Sequence, residues 1–351
     1  MKDDKFCSEI THSTICAKII NDNLNCDYKL IGIRIFNSIL NSANINDFIT
    51  ALRWCVHNDI DIVHLSIGSV YLKDLDRLYE TISLLISENI IIIAAGNNDN
   101  MITYPASFKE CLGVKCQRQN EDNDNIVYIE YPYDGIDYVV PVKEKVINYN
   151  DIQTNVTNCN SFAAPYITAK VCNYFAAGFR DLKSIRDQLK IELSKNEYYY
   201  NSDITIIGND DIVPIITFVE MKQNRDTVDF LLRLLTEFKS ESYYGILLSN
   251  YTVTDSSKST FNLECLNYCS RGLYEKVKIY FNLTFPDLVI LYINESEYKQ
   301  LLAQTSIDIV LNVHNQCINH IEYDLKQEIT DYYFIPNSLK EIYLLLRNIL
   351  C

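Results

Sequence analysis

The sequence predicts an α/β protein of two domains, each built on a parallel β-sheet covered by helices. Three observations support this prediction. The chain has 351 residues, and domains of about 100–200 residues are typical. Hydrophobic residues make up 48% of it and prolines number only 7, which excludes a disordered or Pro-rich chain. In each half, short apolar runs alternate with segments of helical periodicity, as expected for strands joined by crossover helices.

The first half, residues 1–196, shows the clearer alternation. Predicted strands lie at 29–36, 61–65 and 90–95, and predicted helices at 46–58, 75–88 and about 161–175. Residues 117–157 lose the pattern, and their best strand candidates are 126–131 and 138–142. Strand, helix and strand at this spacing indicate a parallel sheet with helices on both faces.

The tract 197–211, which contains three consecutive tyrosines and Gly208-Asn209-Asp210, is the predicted linker to a second domain at 212–351. In that domain, strands are predicted at 212–219, 244–248, 288–293 and 307–313, and helices at 227–239 and over most of 263–280. This pattern predicts a smaller α/β domain. It does not support nucleotide binding, because the chain has 9 glycines and no G-x-x-x-x-G-K-[ST] segment.

Charge and cysteine usage limit the class of protein. The chain has 46 acidic and 31 basic residues, with a net charge of −15, and its Lys and Arg are scattered, so we expect no binding to nucleic acid or membrane. Its N-terminus lacks the apolar stretch of a secretory signal. The 12 cysteines include no C-x-x-C pair, and neither a disulfide framework nor a zinc site is predicted. We therefore expect a soluble cytoplasmic protein with mostly reduced thiols.

Short segments of the first half together indicate one kind of site. They are His12-Ser13-Thr14-Ile15-Cys16-Ala17, Leu65-Ser66-Ile67-Gly68, Ala94-Ala95-Gly96-Asn97, Tyr104-Pro105-Ala106-Ser107 and Ser161-Phe162-Ala163-Ala164-Pro165. Their order and spacing resemble those of the subtilisin-like serine peptidases, whose motifs run H-G-T-H-V-A, S-L-G, A-A-G-N, Y-P-A and G-T-S-M-A-x-P. The resemblance covers roughly residues 8–178. It implies a subtilisin-like, three-layer fold with a parallel sheet and a serine endopeptidase activity.

The resemblance also implies a role for each segment. Ser161 would be the nucleophile at the start of a helix, and His12 would accept its proton and return it to the leaving amine. Asn97 would donate its side-chain amide to the oxyanion. Ser66, Ile67 and Gly68 would pair with the extended backbone of a peptide or protein substrate. Such catalysis needs no cofactor and no metal.

Each segment alone has an ordinary structural interpretation. Ser-x-Ala-Ala-Pro is typical of a helix start capped by serine, and Gly-Asn after a strand is typical of a turn; only the joint order favours a site. Four histidines without motif context are predicted to be structural or solvated: His57, His64, His314 and His320. The acidic run 121–124 lacks the glycine-containing loop of an EF-hand and is predicted to be a solvated loop.

The aspartate of the triad has no assigned position. In the family it ends a strand that precedes the histidine and orients the imidazole, whereas here only eleven residues precede His12, and Asp3, Asp4 and Glu9 are poor candidates because they lack such a strand. The chain is therefore expected either to lack its N-terminal strand or to be a degenerate peptidase, and the missing strand would leave a gap in the sheet. Ser13 and Cys159-Asn160 also stand where the family has Gly and Gly-Thr, which is expected to tighten or misalign the site.

These observations leave three hypotheses for function. The first is an intracellular endopeptidase, or its remnant, that cleaves a dedicated substrate, as bacterial family members do in peptide maturation. The second is an inactive pseudopeptidase that binds peptides as a scaffold. The third places the main role in 212–351, as an interaction domain of a maturation complex, whose one polar cluster of interest is His314, Asn315 and His320.

Overall fold

A computed structural model describes most of the chain. The described residues are 11–37, 42–117, 125–142, 145–149, 152–156, 158–196, 213–251, 259–269, 272–303, 309–314, 317–325, 328–329 and 339–350. The chain divides into two compact units, Met1–Tyr199 and Tyr200–Cys351. The tract 197–211 lies outside the described residues, and the domain boundaries drawn from the sequence stay a prediction.

The first unit is built on a mostly parallel sheet. Its helices are α1 His12–Asp22, α2 Ile45–Val56, α3 Leu75–Ser87, α4 Asn160–Ala176 and α5 Leu182–Glu192. Its strands are β1 Phe36–Asn37, β2 Ser42–Ala43, β3 Ile62–Leu65, β4 Ile91–Ala95, β5 Leu112–Cys116, β6 Val127–Ile129, β7 Tyr138–Val140, β8 Lys145–Tyr149, β9 Ile152–Val156 and β10 Ser194–Asn196. The sheet order is β10-β6-β7-β5-β4-β3, and β3, β4, β5 and β7 are parallel. The pairs β1–β2 and β8–β9 form separate antiparallel ribbons.

The core of this unit lies where α1, α4 and α5 pack on the sheet. All five residues of β4 are buried, and every second one, Ile91, Ile93 and Ala95, belongs to this core. Because neighbouring residues of a strand point to opposite faces, both faces of the sheet are covered. Ala163 and Ala164 let α4 approach closely, and both are fully buried. The parallel α/β architecture confirms the fold class predicted from the sequence.

One predicted strand of the first unit is wrong. The sequence predicts a strand at 29–36, but only Phe36 enters a strand and 29–35 have no regular secondary structure. Leu30, Ile31 and Ile33 are exposed. An apolar run becomes a strand only beside a partner that completes its hydrogen bonds. Within the described residues β3 is the edge strand and pairs with β4 alone.

The second unit is a second α/β sheet. Its helices are α6 Arg225–Ser240, α7 Leu273–Thr284, α8 Glu295–Leu302 and α9 Leu339–Leu350. Its strands are β11 Ile215–Glu220, β12 Gly245–Ser249, β13 Thr260–Asn262, β14 Leu288–Ile293, β15 Ile309–His314, β16 Cys317–Leu325 and β17 Glu328–Ile329. The order is β13-β12-β14-β11-β15-β16-β17, with β11 to β15 parallel and β16 and β17 antiparallel. The helix predicted over 263–280 is divided, because a 3₁₀ segment at Leu263–Cys269 precedes Gly272, the N-cap of α7.

Several of the residues singled out in the sequence lie outside the described residues or have side chains that are not described. Asp3, Asp4, Glu9, the run 121–124 and Asn315 lie outside the described residues. The backbones of His314 and His320 lie in β15 and β16, but their side chains are not described. In the described ranges, no helix is long and apolar enough to cross a membrane. The same ranges contain no group of three His, Cys, Asp or Glu side chains that could hold a metal.

Candidate active site

His12 and Ser161 meet although 149 residues separate them. Thr11 caps α1 by accepting a hydrogen bond from the Thr14 amide, which makes His12 the first helical residue. Ser161 is the second residue of α4. The His12 Nε2 atom lies 2.9 Å from Ser161 Oγ, and the imidazole stacks on Phe162 with ring centroids 4.9 Å apart. The structure thus brings a base and a hydroxyl into hydrogen-bond distance.

The protonation of His12 suits a base. Partial burial lowers the pKa of His12 below its usual 6.5, so the ring is neutral at pH 7. The other ring nitrogen, Nδ1, lies 3.8 Å from Cys16 Sγ. Among the described residues, no carboxylate forms a hydrogen bond or ion pair with this ring. Burial raises the pKa of Cys16 to about 11, so Nδ1 faces an uncharged thiol that gives an imidazolium little stabilisation.

A proline shapes the turn that carries Ser161. In an α-helix, the carbonyl of Ser161 would accept the N–H of residue 165, but Pro165 has none. Two side chains from other elements replace it. The Ser66 hydroxyl donates to this carbonyl at 3.1 Å, and the Cys16 thiol lies 3.4 Å from it. The start of α4 is therefore tied to the end of β3 and to α1.

His64, one of the four histidines predicted to be structural or solvated, forms hydrogen bonds with the same cluster. Its Nε2 lies 2.8 Å from Ser66 Oγ, and its Nδ1 lies 2.8 Å from Thr168 Oγ1 on α4. The residue is partly buried. The signal that sequence reasoning missed is its spacing, because residues two apart on a strand share a face and His64 precedes Ser66 by two.

Asn97 lies at the end of β4, next to the turn that carries Ser161. Its backbone oxygen accepts a 2.7 Å hydrogen bond from Asn160 Nδ2, and its side-chain Oδ1 accepts one from the Asp99 amide. Because the oxygen of the side chain is engaged, the Nδ2 donor is the end left for a ligand. The oxyanion role of Asn97 stays a prediction.

The segment Ser66, Ile67 and Gly68 continues beyond β3. Within the described residues, the backbone groups of Ile67 and Gly68 form no hydrogen bond, whereas Ser69 pairs with Tyr104 in both directions at 2.8 Å. A Cβ atom on Gly68 would lie 2.6 Å from Thr103 Cγ2, so only glycine fits there. Free backbone groups next to the end of a strand suit pairing with a peptide, and this role too stays a prediction.

Comparison with known families fits this geometry. Residues 4–178 match the sequence model of the subtilase family, peptidase S8. The chain belongs to the subtilase family. This confirms the resemblance drawn from the motifs and covers the residues that carry His12, Ser66, Asn97 and Ser161.

Solved structures similar to this subtilase include two peptidases. One is the prenylagaramide maturation protease PagA, with 20% identity over 47% of this chain and 64% of that chain, and a TM-score of 0.35. Another is a cold-adapted subtilisin-like serine proteinase, with 17% identity over 53% of this chain and 69% of that chain, and a TM-score of 0.41. A search of curated proteins gives no significant match.

The subtilase unit accepts cysteine and asparagine before its candidate nucleophile. Cys159 has extended backbone angles, φ −146° and ψ 154°, which need no glycine. Its Sγ lies 3.2 Å from Ser161 Oγ. Asn160 accepts the Cys116 amide at 2.7 Å through Oδ1, and its own amide donates to Asn98 Oδ1 at 2.9 Å. These contacts tie the turn to the ends of β4 and β5.

Proposed function

We propose that this subtilase is a serine endopeptidase in which Ser161 is the nucleophile and His12 is the general base. The observation that carries the proposal is the 2.9 Å contact between His12 Nε2 and Ser161 Oγ, formed at the start of a buried helix in a chain of this family. The nucleophile and a neutral base are the minimum equipment of serine-type acyl transfer.

The proposed reaction follows from these positions. Ser161 Oγ attacks the carbonyl carbon of the scissile peptide while His12 Nε2 takes its proton. The negative charge on the carbonyl oxygen is stabilised by Asn97 Nδ2 and by the N-terminus of α4. The C–N bond then breaks and His12 gives the proton to the leaving amine, which leaves an acyl ester on Ser161. A water molecule, deprotonated by His12, hydrolyses this ester.

The partner of Nδ1 sets the expected rate. In subtilisin, loss of the triad aspartate lowers kcat by about 3 × 10⁴-fold. With the Cys16 thiol at Nδ1, the dyad alone is expected to turn over slowly. The alternative function is therefore a pseudopeptidase that binds a peptide along Ile67 and Gly68, a hypothesis favoured by the free backbone groups of that segment. The triad carboxylate has no assigned residue in either case.

The biological setting is part of the proposal. A second α/β unit is attached to the subtilase unit, which favours one dedicated peptide or protein substrate, in a maturation step, over general digestion. We propose that residues 212–351 bind a partner of that process. The cytoplasmic location is proposed from the cysteine usage, because cysteines without a disulfide framework are typical of reducing compartments.

The proposal is tested by labelling the purified chain with a fluorophosphonate probe and mapping the adduct by mass spectrometry. We expect the adduct on Ser161, and we expect Ser161→Ala to lose it. Ser13→Ala is the matched control, because Ser13 is an exposed serine next to His12 whose hydroxyl contacts Thr11; it should keep the label. A folded chain that is never labelled would favour the pseudopeptidase, which binding of extended peptides would then examine.

Labelling should depend on pH through His12. The rate requires the neutral ring, and partial burial lowers the pKa of His12. The rate is therefore expected to rise with pH, with a midpoint below 6.5, and to be constant above neutrality. Rates measured between pH 4.5 and 8.5 provide the check, and a midpoint above 6.5 would show that a negative charge faces the ring.

A further inference from the structure

We propose that His64 is a positioning residue, which holds the first turn of α4, and with it Ser161, through the hydroxyl of Ser66. The proposal deepens the proposed function and rests on it, since positioning matters for a nucleophile. His64 touches neither the reacting hydroxyl nor the His12 ring by a hydrogen bond. It acts through the carbonyl of Ser161.

The carbonyl of Ser161 depends on side-chain donors. Pro165 removes the helical donor, so the orientation of the Ser161 peptide group depends on the donors that replace it. The oxygen donor among them is Ser66 Oγ at 3.1 Å. The other is the weaker S–H donor of Cys16 at 3.4 Å. A hydroxyl can rotate, and its direction is fixed only if its own oxygen has a donor.

His64 supplies that donor. Because the single proton of Ser66 points to the Ser161 carbonyl, the 2.8 Å contact with Nε2 requires an N–H on Nε2. Nδ1 of the neutral ring is then an acceptor, and it accepts from the Thr168 hydroxyl at 2.8 Å. Thr168 Oγ1 also lies 3.0 Å from the Ala164 carbonyl, but that carbonyl already has the Thr168 amide as its helical donor. With this assignment Nε2 donates to Ser66, Ser66 donates to the Ser161 carbonyl and Thr168 donates to Nδ1, while the Cys16 thiol, 3.4 Å from the same carbonyl and 3.6 Å from Ser66 Oγ, is the weaker S–H donor.

The result is a closed connection between two elements. Thr168 on α4 forms a hydrogen bond with Nδ1 of His64, and Nε2 forms one with Ser66. Ser66 in turn donates to the carbonyl of Ser161, which is also on α4. The titratable group nearest in effect to His64 is His12, and burial, with a smaller effect of His12, lowers the pKa of His64 to about 4. The ring is therefore neutral at pH 7 and carries the one N–H that the arrangement needs.

Two conservative variants test the roles of Nε2 and Nδ1 of His64 separately. The amide of glutamine extends as far from the backbone as Nε2, and the amide of asparagine only as far as Nδ1. His64→Gln therefore keeps a donor for Ser66, and His64→Asn keeps a partner for Thr168 only. We expect His64→Asn to lower the rate of fluorophosphonate labelling about 10–100-fold, as small misplacements of reacting groups do, and His64→Gln to recover most of it. His57→Asn, on an exposed histidine at the end of α2, is the control.

A second readout does not need activity. Hydrogen exchange of the peptide that spans residues 158–166 should be faster in His64→Asn than in His64→Gln and the wild type. Equal rates of labelling and exchange in the two variants, or the opposite order, would overturn the proposal. If the wild type is never labelled, the peptidase proposal fails, and the exchange order alone decides the role of His64. If neither variant folds, Ser66→Ala must show the faster exchange, and normal exchange there overturns the proposal.

Discussion

The variant His12→Ala is expected to slow fluorophosphonate labelling of Ser161 by about 10²–10⁴-fold, the usual contribution of a positioned general base. The ring nitrogen lies 2.9 Å from Ser161 Oγ. The other side-chain group at this oxygen is the Cys159 thiol at 3.2 Å, so the variant leaves the hydroxyl without an imidazole. The rate should also lose its dependence on pH between 4.5 and 8.5, because the group that titrates there is gone.

The measurement is the second-order rate constant of labelling, compared at several pH values in the wild type and the variant. Free imidazole added to His12→Ala should restore part of the rate, since the removed ring leaves space beside Phe162. His57→Ala serves as the control, because it removes an exposed histidine at the end of α2. An unchanged rate in His12→Ala would refute the assignment of the base while leaving Ser161 as the nucleophile.

The meeting of His12 and Ser161 could be predicted because the motifs around them are local. Each motif combines a helix start with a polar residue, and the order of the motifs carries the family resemblance. The role of Cys16 could not be predicted this way, because its contact with Nδ1 depends on the rotamers of two side chains one helical turn apart. The contact between His64 and Ser66 could have been predicted, because residues two apart on a strand lie on the same face.

The error at 29–36 has a different physical origin. Apolar periodicity reports what a segment can bury, whereas a strand also needs a neighbour in register. Within the described residues β3 pairs on one side only. Leu30, Ile31 and Ile33 are exposed, because this apolar run has no neighbouring strand to pair with. In the second unit, the apolar run at 288–293 was predicted as a strand with the same bounds as β14. This strand is buried between two parallel neighbours, β11 and β12, which complete its hydrogen bonds. An apolar run therefore predicts a strand correctly where neighbouring strands are present.

Replacement of Arg186 is expected to lower the stability of the subtilase unit more than any other substitution proposed above. Arg186 on α5 donates to the carbonyls of Lys109 and Cys111 at 2.9 and 2.7 Å and to Asp137 Oδ2 at 3.1 Å. Its side chain and that of Asp137 are mostly buried. Arg186→Ala removes the guanidinium that pairs with this carboxylate, and breaking a buried pair in this way costs about 3–5 kcal/mol of the free energy of unfolding. Urea unfolding at pH 8 measures the loss.

The dependence on pH identifies the cause of that loss. Burial raises the pKa of Asp137 to about 6, although Arg186 lowers it; without Arg186 the pKa rises further. A carboxyl with a pKa above its unfolded value stabilises the fold when it is protonated, and this contribution disappears as pH rises through the folded pKa. The loss in Arg186→Ala should therefore be smaller at pH 5 than at pH 8, and Asp137→Asn in the same chain should recover part of it at pH 8. A loss of equal size at both pH values would assign the effect to the two carbonyl contacts and not to the buried charge.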